Sequence, residues 1–391
     1  MAESMTSQER VQRAVRGEPV DRLPVSFELV GQTDMKELCF RAPHAWKPER
    51  YPPFVFDMDN YEPTTSARKE GEWGVVWEYG GTVSASGIDV EHPLQDLEAL
   101  KSYRFPDPRA EGRLGGFDRL ALDYPRAYLW ATNLHLLFER LHFLHGFSET
   151  LIDLVENPEE MEALLGRILE LQLGLIEVLG ERFRGKIHAF ASTDDWGTNT
   201  GMLISPDLGR KMFKPRYARI ADAVHGQGMD VWLHSDRKIE EIAPDLTEIG
   251  VGVFNLCDPV LLGTEAFARR YAGKTRLTMY IDVQKTGVSG SREEVEREAE
   301  SLVEHWTHDK GSSALAMDYR DTGSMDSLAL DRRRWALSAF QEAFRRKGGK
   351  GRWVMAGSNT ERRRRRQRGF TLPRACLLPD SADPGLAAIE T

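Results

Sequence analysis

Short apolar runs alternate with longer stretches of helical periodicity along most of this chain. The short runs have the length and the β-branched or aromatic content of buried strands, and they predict strands at 23–29, 54–58, 127–133, 186–192, 229–234, 251–256, 276–283 and 313–318. The longer stretches predict helices at 7–16, 134–144, 158–180, 206–226, 238–249, 292–308 and 331–346. Alternating strands and helices form parallel sheets, and eight such strands close a barrel. The pattern therefore predicts an α/β protein with a (β/α)8 TIM-barrel fold.

Two segments depart from this alternation. Segment 71–87 carries Trp73, Trp77 and Tyr79 ahead of two consecutive glycines, which predicts a hairpin insert over the barrel mouth. After residue 347 the periodicity ends, five consecutive arginines stand at 362–366, and 348–391 are predicted to be a disordered basic tail. No Pro-, Gly- and Ser-rich linker divides residues 1–347. A single barrel domain over 1–347 is therefore favoured over two domains.

Charge and cysteine usage restrict the function classes. The net charge of −9 is distributed unevenly. The segment from residue 345 onward has 12 basic and 4 acidic residues, a net charge of +8, and the rest of the chain has a net charge of −17. An acidic body does not suit phosphate or nucleic-acid binding, although the arginine run leaves a nucleic-acid or membrane-surface role for the tail as an alternative. The chain has 3 cysteines, which lie far apart, and neither a secretory leader nor a run that could span a membrane. These features predict a cytoplasmic protein.

Polar and ionisable residues follow the predicted strands at their carboxyl ends. In TIM-barrel enzymes this end holds the active site, because all eight strand ends meet on one rim. Proton-transfer groups there predict a catalytic set of Asp195, His234, Asp236 and Asp282. The other residues at these ends predict substrate contacts by Glu28, Asp59, Asn133, Trp196, Gln284, Asp318 and Tyr319. Part of this distribution would arise in any barrel, since strand ends meet solvent.

His234 and Asp236 form a candidate metal pair. Residues two apart on a strand point to the same side, and imidazole with carboxylate suits Zn or Mn. A third ligand would have to come from another strand. Two alternatives remain open: Asp236 caps a helix that begins near Lys238, or it pairs with Arg237, Lys238 or another nearby cation.

Several stretches resemble one enzyme superfamily. They are GEPVDRLPV at 17–25, EWGVVWE at 72–78, the helix from 137 to 153, DDWG at 194–197, LISP at 203–206, KPRY at 214–217, LHS at 233–235, IAPDL at 242–246 and IDVQ at 281–284. They resemble the uroporphyrinogen decarboxylase superfamily, which also contains corrinoid-dependent methyltransferases, and the insert is similar to that of its methyltransferase-like branch. The resemblance covers about residues 5–345 and implies a barrel enzyme.

The chain departs from the superfamily at two motifs. The resemblance implies His-Ser-Cys-Gly after the fifth strand, where His and Cys bind zinc with a later cysteine. Here the sequence is His234-Ser235-Asp236-Arg237, and the eighth strand has no cysteine. The arginine-rich motif with which the true decarboxylases bind substrate carboxylates is also missing around 26–39.

Three hypotheses of function follow. The first is an enzyme that transfers a methyl group, with a corrinoid protein or a methylated small molecule as partner and one divalent metal, Zn or Mn, as cofactor. The second is a decarboxylase acting on a tetrapyrrole or a smaller acid. The third is a catalytically inactive barrel used for binding. A metal bound to the purified protein would favour the first hypothesis.

Overall fold

Eight strands form the centre of the molecule, and seven of them are largely apolar. Their burial on both faces is typical of parallel strands covered by helices. The computed structural model describes residues 4–53, 67–79, 87–308, 311–312, 314–318 and 327–348. The strands are β1 (Val25–Phe27), β2 (Gln32–Thr33), β3 (Met35–Cys39), β4 (Ala67–Glu70), β5 (Val76–Tyr79), β6 (Ile88–Glu91), β7 (Tyr128–Asn133), β8 (Ala189–Thr193), β9 (Asp230–His234), β10 (Val253–Asn255), β11 (Arg276–Met279), β12 (Thr307–His308), β13 (Gly311–Ser312) and β14 (Ala314–Met317).

The barrel sheet has the order β2-β1-β14-β11-β10-β9-β8-β7-β3. Its eight barrel strands pair in parallel, and β2 adds an antiparallel strand beside β1. Asp34 bridges the remaining seam between β1 and β3, because its N–H donates to Val25 (2.8 Å) and its carbonyl accepts from Tyr128 (3.0 Å). Its buried carboxylate accepts from Arg10 and Arg22 at 2.6 Å each. The predicted α/β barrel is thus confirmed.

The second barrel strand differs from the prediction. The position beside β7 belongs to Met35–Cys39, whereas the predicted strand 54–58 lies outside the described residues. Strand β3 reads MKELC, and the consecutive charged residues Lys36 and Glu37 interrupt the apolar run by which a buried strand is predicted. The other seven predicted strands overlap observed barrel strands.

Helices cover the outside of the barrel. They are α1 (Ser7–Arg16), α2 (Phe117–Asp123), α3 (Phe138–His145), α4 (Phe147–Glu156), α5 (Pro158–Phe183), α6 (Pro206–Leu208), α7 (Lys214–Gly226), α8 (Ala243–Glu248), α9 (Pro259–Leu262), α10 (Thr264–Tyr271), α11 (Thr286–Ser289), α12 (Arg292–Trp306) and α13 (Ser327–Arg346), with a π-helical segment Gly209–Phe213 and 3-10 turns at Glu28–Val30 and Leu97–Lys101. One apolar core lies between the helices and the sheet. A second fills the barrel with aromatic side chains such as Trp130 and Trp232, whose rings meet edge to face at 4.7 Å.

The insert is a three-stranded antiparallel sheet, β4-β5-β6, and it packs on α3. Trp77 contacts Phe143 at 4.7 Å between ring centroids, and Arg140 lies over the Trp73 ring at 4.3 Å. The predicted glycine turn of the hairpin lies outside the described residues. Because α3 follows the carboxyl end of β7, the insert lies beside the rim of the barrel mouth.

Of the predicted tail 348–391, residues 349–391 lie outside the described residues. In the described ranges, no helix combines the length and the apolar character needed to cross a membrane.

Candidate metal centre and active site

A thiol, an imidazole and a carboxylate meet at the carboxyl ends of β9 and β10. His234 is the last residue of β9 and its register partner on β10 is Asn255, so the chains leave the two strands side by side. Two residues further on stand Asp236 and Cys257. One ligand atom from each of His234, Asp236 and Cys257 lies within 4.8 Å of the others. The His234 Nδ1–Cys257 Sγ distance is 4.0 Å, and the His234 Nε2–Asp236 Oδ1 distance is 3.4 Å.

In the structure Asp236 neither caps a helix nor pairs with Arg237 or Lys238, and its nearest basic group is the imidazole of His234. Helix α8 begins at Ala243, too far along the chain for Asp236 to cap it. The neighbouring cations face other groups, since Arg237 hydrogen-bonds Asn199 at 3.0 Å and Lys238 lies 3.9 Å from Glu240. Asp236 Oδ1 is buried and has no hydrogen-bond partner among the described residues. Such an orphaned acceptor carries a desolvation cost that a bound cation would remove.

These three groups fit a divalent metal. The set of sulfur, nitrogen and oxygen ligands is one that zinc accepts, with a fourth position left for substrate or water. Burial raises the pKa of the Cys257 thiol well above its usual range, and nearby carboxylates, first that of Asp236, raise it further. Burial also raises the pKa of Asp236. Metal binding would therefore displace a proton from the thiol.

Asp195 joins the loops after β8 and β9. Its Oδ1 accepts the backbone N–H of Asp236 at 2.9 Å and lies 3.8 Å from His234 Nε2. The loops touch at Gly197, where a Cβ would lie 2.6 Å from Lys238 N and 2.7 Å from Asp236 O. Glycine is required there for this close approach. The loop also holds Arg237 at φ 67°, a left-handed conformation that costs free energy in a non-glycine residue and is common at functional sites.

The neighbouring residues of the DDWG and KPRY motifs form a buried structural unit. Asp194 is fully buried and accepts the N–H groups of Leu137, Phe138 and Glu139 at 2.8, 3.0 and 2.6 Å, at the start of α3. Tyr217 donates its hydroxyl proton to Asp194 and accepts from Trp196 Nε1 at 2.9 Å. Trp196, predicted to contact substrate, is 1% exposed and packs inside this unit.

The remaining predicted site residues lie around the rim without joining the cluster. Asp282 accepts the N–H groups of Gln284 and Lys285 at 2.9 and 2.8 Å, so its carboxylate shapes its own loop. Gln284 donates to Asp258, the neighbour of Cys257, at 2.7 Å. Three others contact residues outside the cluster: Asn133 donates to Gln172, Glu28 pairs with Lys36 at 2.7 Å, and Asp318 pairs with Arg333 at 2.8 Å. Asp59 and Tyr319 lie outside the described residues.

Sequence reasoning missed two residues of the mouth, Cys257 and Glu139. The signal for Cys257 was its place just after a predicted strand, beside the strand that ends at His234. Glu139 lies in α3 and accepts from Thr193 Oγ1 at 2.6 Å. Its neighbours Thr193, Asp194 and Asp195 lie at the end of β8 and in the loop after it, far from Glu139 in the sequence, so no local pattern reveals its burial.

Comparisons with known proteins identify one family profile and several solved structures that are similar to this chain. The family profile described as uroporphyrinogen decarboxylase (URO-D) matches residues 142–313. No curated protein matches the chain significantly. Among solved structures, the IOLI protein with a binding zinc atom is similar at 10% identity and a TM-score of 0.35, over 64% of this chain and 87% of that one. D-psicose 3-epimerase in the presence of D-fructose is similar at 13% identity and a TM-score of 0.32, over 60% of this chain and 85% of that one. Dispersin B is similar at 10% identity and a TM-score of 0.33, over 78% of this chain and 88% of that one.

The matched segment runs from α3 to β13 and contains four barrel strands with the cluster of His234, Asp236 and Cys257. This match supports the uroporphyrinogen decarboxylase superfamily for the part of the chain that the profile covers.

Proposed function

We propose that this protein is a metal-dependent methyltransferase that moves a methyl group from a methylated small molecule to a corrinoid held by a partner protein. The observation that carries the proposal is the meeting of Cys257, His234 and Asp236 at the barrel mouth, with ligand atoms within 4.8 Å of one another. A divalent ion held there would act as a Lewis acid toward a substrate oxygen or sulfur. The thiol favours zinc over manganese, because thiolate is a soft ligand.

The charge of the rim supports methyl transfer over decarboxylation of a polyacid. Asp195, Asp236 and Asp258 stand together at the ends of β8, β9 and β10. Carboxylates at a mouth repel a substrate with several carboxylates of its own. Arg237 lies 3.9 Å from Asp258 and hydrogen-bonds Asn199, so its charge is already partly matched. A neutral or weakly charged methyl donor is the better match for such a mouth.

The protein residues have separate tasks in this proposal. His234 and Cys257 hold the ion from two adjacent strands, and Asp236 adds the hard oxygen ligand. Asp195 fixes the loop that carries Asp236 by accepting its backbone N–H. The aromatic filling of the barrel beneath them keeps water from reaching the site from below.

Metal binding is the first test. Titration of the wild-type protein with Zn²⁺ and with Mn²⁺ should give one site per chain with a preference for Zn²⁺. His234→Ala, Asp236→Asn and Cys257→Ser should each weaken zinc binding by more than about 100-fold, since even outer-shell partners are worth about 10- to 100-fold. Cys257→Ser should weaken Zn²⁺ more than Mn²⁺. Cys39→Ser, a matched change at the end of β3, should bind as wild type does.

Methyl transfer is the second test. The zinc-loaded protein should convert reduced cobalamin to methylcobalamin in the presence of a methyl donor, followed by absorbance under anaerobic conditions. Cys257→Ser should lose this activity and Cys39→Ser should keep it. A wild-type protein that binds neither metal, or that binds zinc and transfers no methyl group, would contradict the proposal.

A further inference from the structure

Glu139 brings a second reactive group to the same mouth. It is the second residue of α3, and 7% of its surface stays exposed. Thr193 Oγ1 donates to Glu139 Oε2 at 2.6 Å. Thr193 is the register partner of His234 on the neighbouring strand, so the carboxyl of Glu139 lies one strand away from the metal cluster. No hydrogen bond to Glu139 Oε1 comes from the described residues, which leaves that oxygen for a proton.

The surroundings of Glu139 favour its protonated form. Burial raises the pKa of Glu139 well above its usual range, and the charges of Asp195 and Asp194 raise it further. The hydrogen bond from Thr193 and the charge of Arg140 act in the opposite direction and are weaker. Arg140 is itself held elsewhere, since it donates to the Leu134 carbonyl at 3.2 Å and lies over the Trp73 ring.

Asp194 is the member of the pair that stays ionised. It accepts three backbone N–H groups and the Tyr217 hydroxyl, all of which stabilise a carboxylate. Burial raises the pKa of Asp194 to about 6, which still leaves it charged at neutral pH. Two adjacent buried carboxyls resist double ionisation, and the proton therefore resides on Glu139.

We propose that Glu139 is the proton donor of the methyl-transfer reaction. The inference rests on the proposed function and specifies its donor: a small molecule whose methyl group leaves an oxygen atom. The methyl carbon bonds to the reduced cobalt, the carbon–oxygen bond breaks, and its electron pair stays on the oxygen. That oxygen takes the proton from Glu139, which becomes a carboxylate and is later reprotonated from water. The cobalt supplies the electron pair of the new bond.

A purely structural role would not require glutamate. Glutamine accepts the same hydrogen bond from Thr193 and avoids burying an acid beside Asp194 and Asp195. A glutamic acid at this position destabilises the folded protein. What it offers, and glutamine does not, is a proton that can be transferred to substrate. Such costs are typical of catalytic acids whose pKa values are tuned by burial and by like charges.

The test compares two methyl donors in Glu139→Gln. Methyl phenyl ether leaves a phenoxide that needs a proton, whereas tetramethylammonium leaves neutral trimethylamine, which needs none. With reduced cobalamin as acceptor, Glu139→Gln should lose about 100-fold or more of its rate with the ether, the usual contribution of a general acid, and less than about threefold with the ammonium donor. Glu37→Gln is the matched control, because Thr132 Oγ1 donates to Glu37 at 2.6 Å in the same way. It should show no difference between donors.

An infrared difference spectrum between wild type and Glu139→Gln gives a readout that does not depend on turnover. The wild-type protein should show the C=O band of a protonated carboxyl at pH 7, and the variant should lack it. Absence of this band, equal rate losses with both donors or an unchanged rate with the ether would overturn the role of Glu139. A wild-type protein that demethylates neither donor would instead refute the proposed methyl transfer itself.

Discussion

Tyr217→Phe should destabilise the protein far more than a typical loss of one hydroxyl. The hydroxyl makes two buried hydrogen bonds, one to the Asp194 carboxylate and one from the Trp196 indole N–H at 2.9 Å. A hydrogen bond to a charged group contributes about 1.5–3 kcal/mol, and a buried donor left without a partner costs about 1–3 kcal/mol. Trp196 is 1% exposed, so water cannot replace the lost partner without a rearrangement. The expected loss in the free energy of unfolding is about 3 kcal/mol.

Tyr271→Phe is the matched control for this change. Tyr271 is 3% exposed, and its hydroxyl donates to one neutral acceptor, the Glu240 carbonyl, at 3.1 Å. Its removal should cost about 1 kcal/mol. Urea unfolding followed by tryptophan fluorescence and by circular dichroism measures both variants, and the two probes should agree if a single transition is compared. Equal losses in the two variants, or a loss below about 1 kcal/mol for Tyr217→Phe, would show that the unit of Asp194, Trp196 and Tyr217 is not a strong contributor to stability.

Three further predictions concern the rim and the tail. Gly197→Ala should cost about 1–3 kcal/mol and weaken zinc binding, because its Cβ would meet backbone atoms of the next loop at 2.6 and 2.7 Å; thermal unfolding and zinc titration measure the two effects. Glu139→Gln should be more stable than wild type, by a margin that grows as pH rises. An acid whose pKa is raised on folding does not destabilise the folded protein below its unfolded pKa, and it destabilises the protein increasingly as pH rises toward its folded pKa. Urea unfolding at pH 5 and pH 8.5 measures this margin, and a constant or shrinking margin would contradict the prediction. Ending the chain at Lys347 should shift the thermal midpoint by at most about two degrees, and a larger drop would show that 348–391 stabilise the barrel.

The barrel could be predicted from the sequence because most of its strands have a recognisable apolar pattern. Seven barrel strands are apolar runs that helices cover on the outside, and periodicity alone locates them. Strand β3 was missed because Lys36 and Glu37 interrupt its apolar pattern; Lys36 pairs with Glu28 and Glu37 accepts from Thr132. The charge of these residues is accommodated by partners that are distant in sequence, and no local pattern reveals such partners.

The site was harder to predict than the fold. His234, Asp236 and Asp195 could be found because they follow strands whose ends are known to meet. To predict Cys257 as a site residue, one needs the register of β9 and β10, which sets His234 opposite Asn255. That register is a property of the assembled sheet. Trp196 stands in the same loop as Asp195 yet points into the unit with Tyr217, because alternate residues of an extended segment face opposite sides.

Closure of the barrel has a consequence for how the chain is made. Val25 pairs with Ala316 and Ser26 with Met317, so the first strand takes one of its neighbours from the end of the barrel. A ribosome that adds about 5–20 residues per second needs some tens of seconds to produce the intervening chain. During that time β1 and the latest finished strand expose open edges, which are templates for aggregation. Protease resistance of the nascent barrel should therefore arise in one late step, when β14 emerges and inserts between β11 and β1.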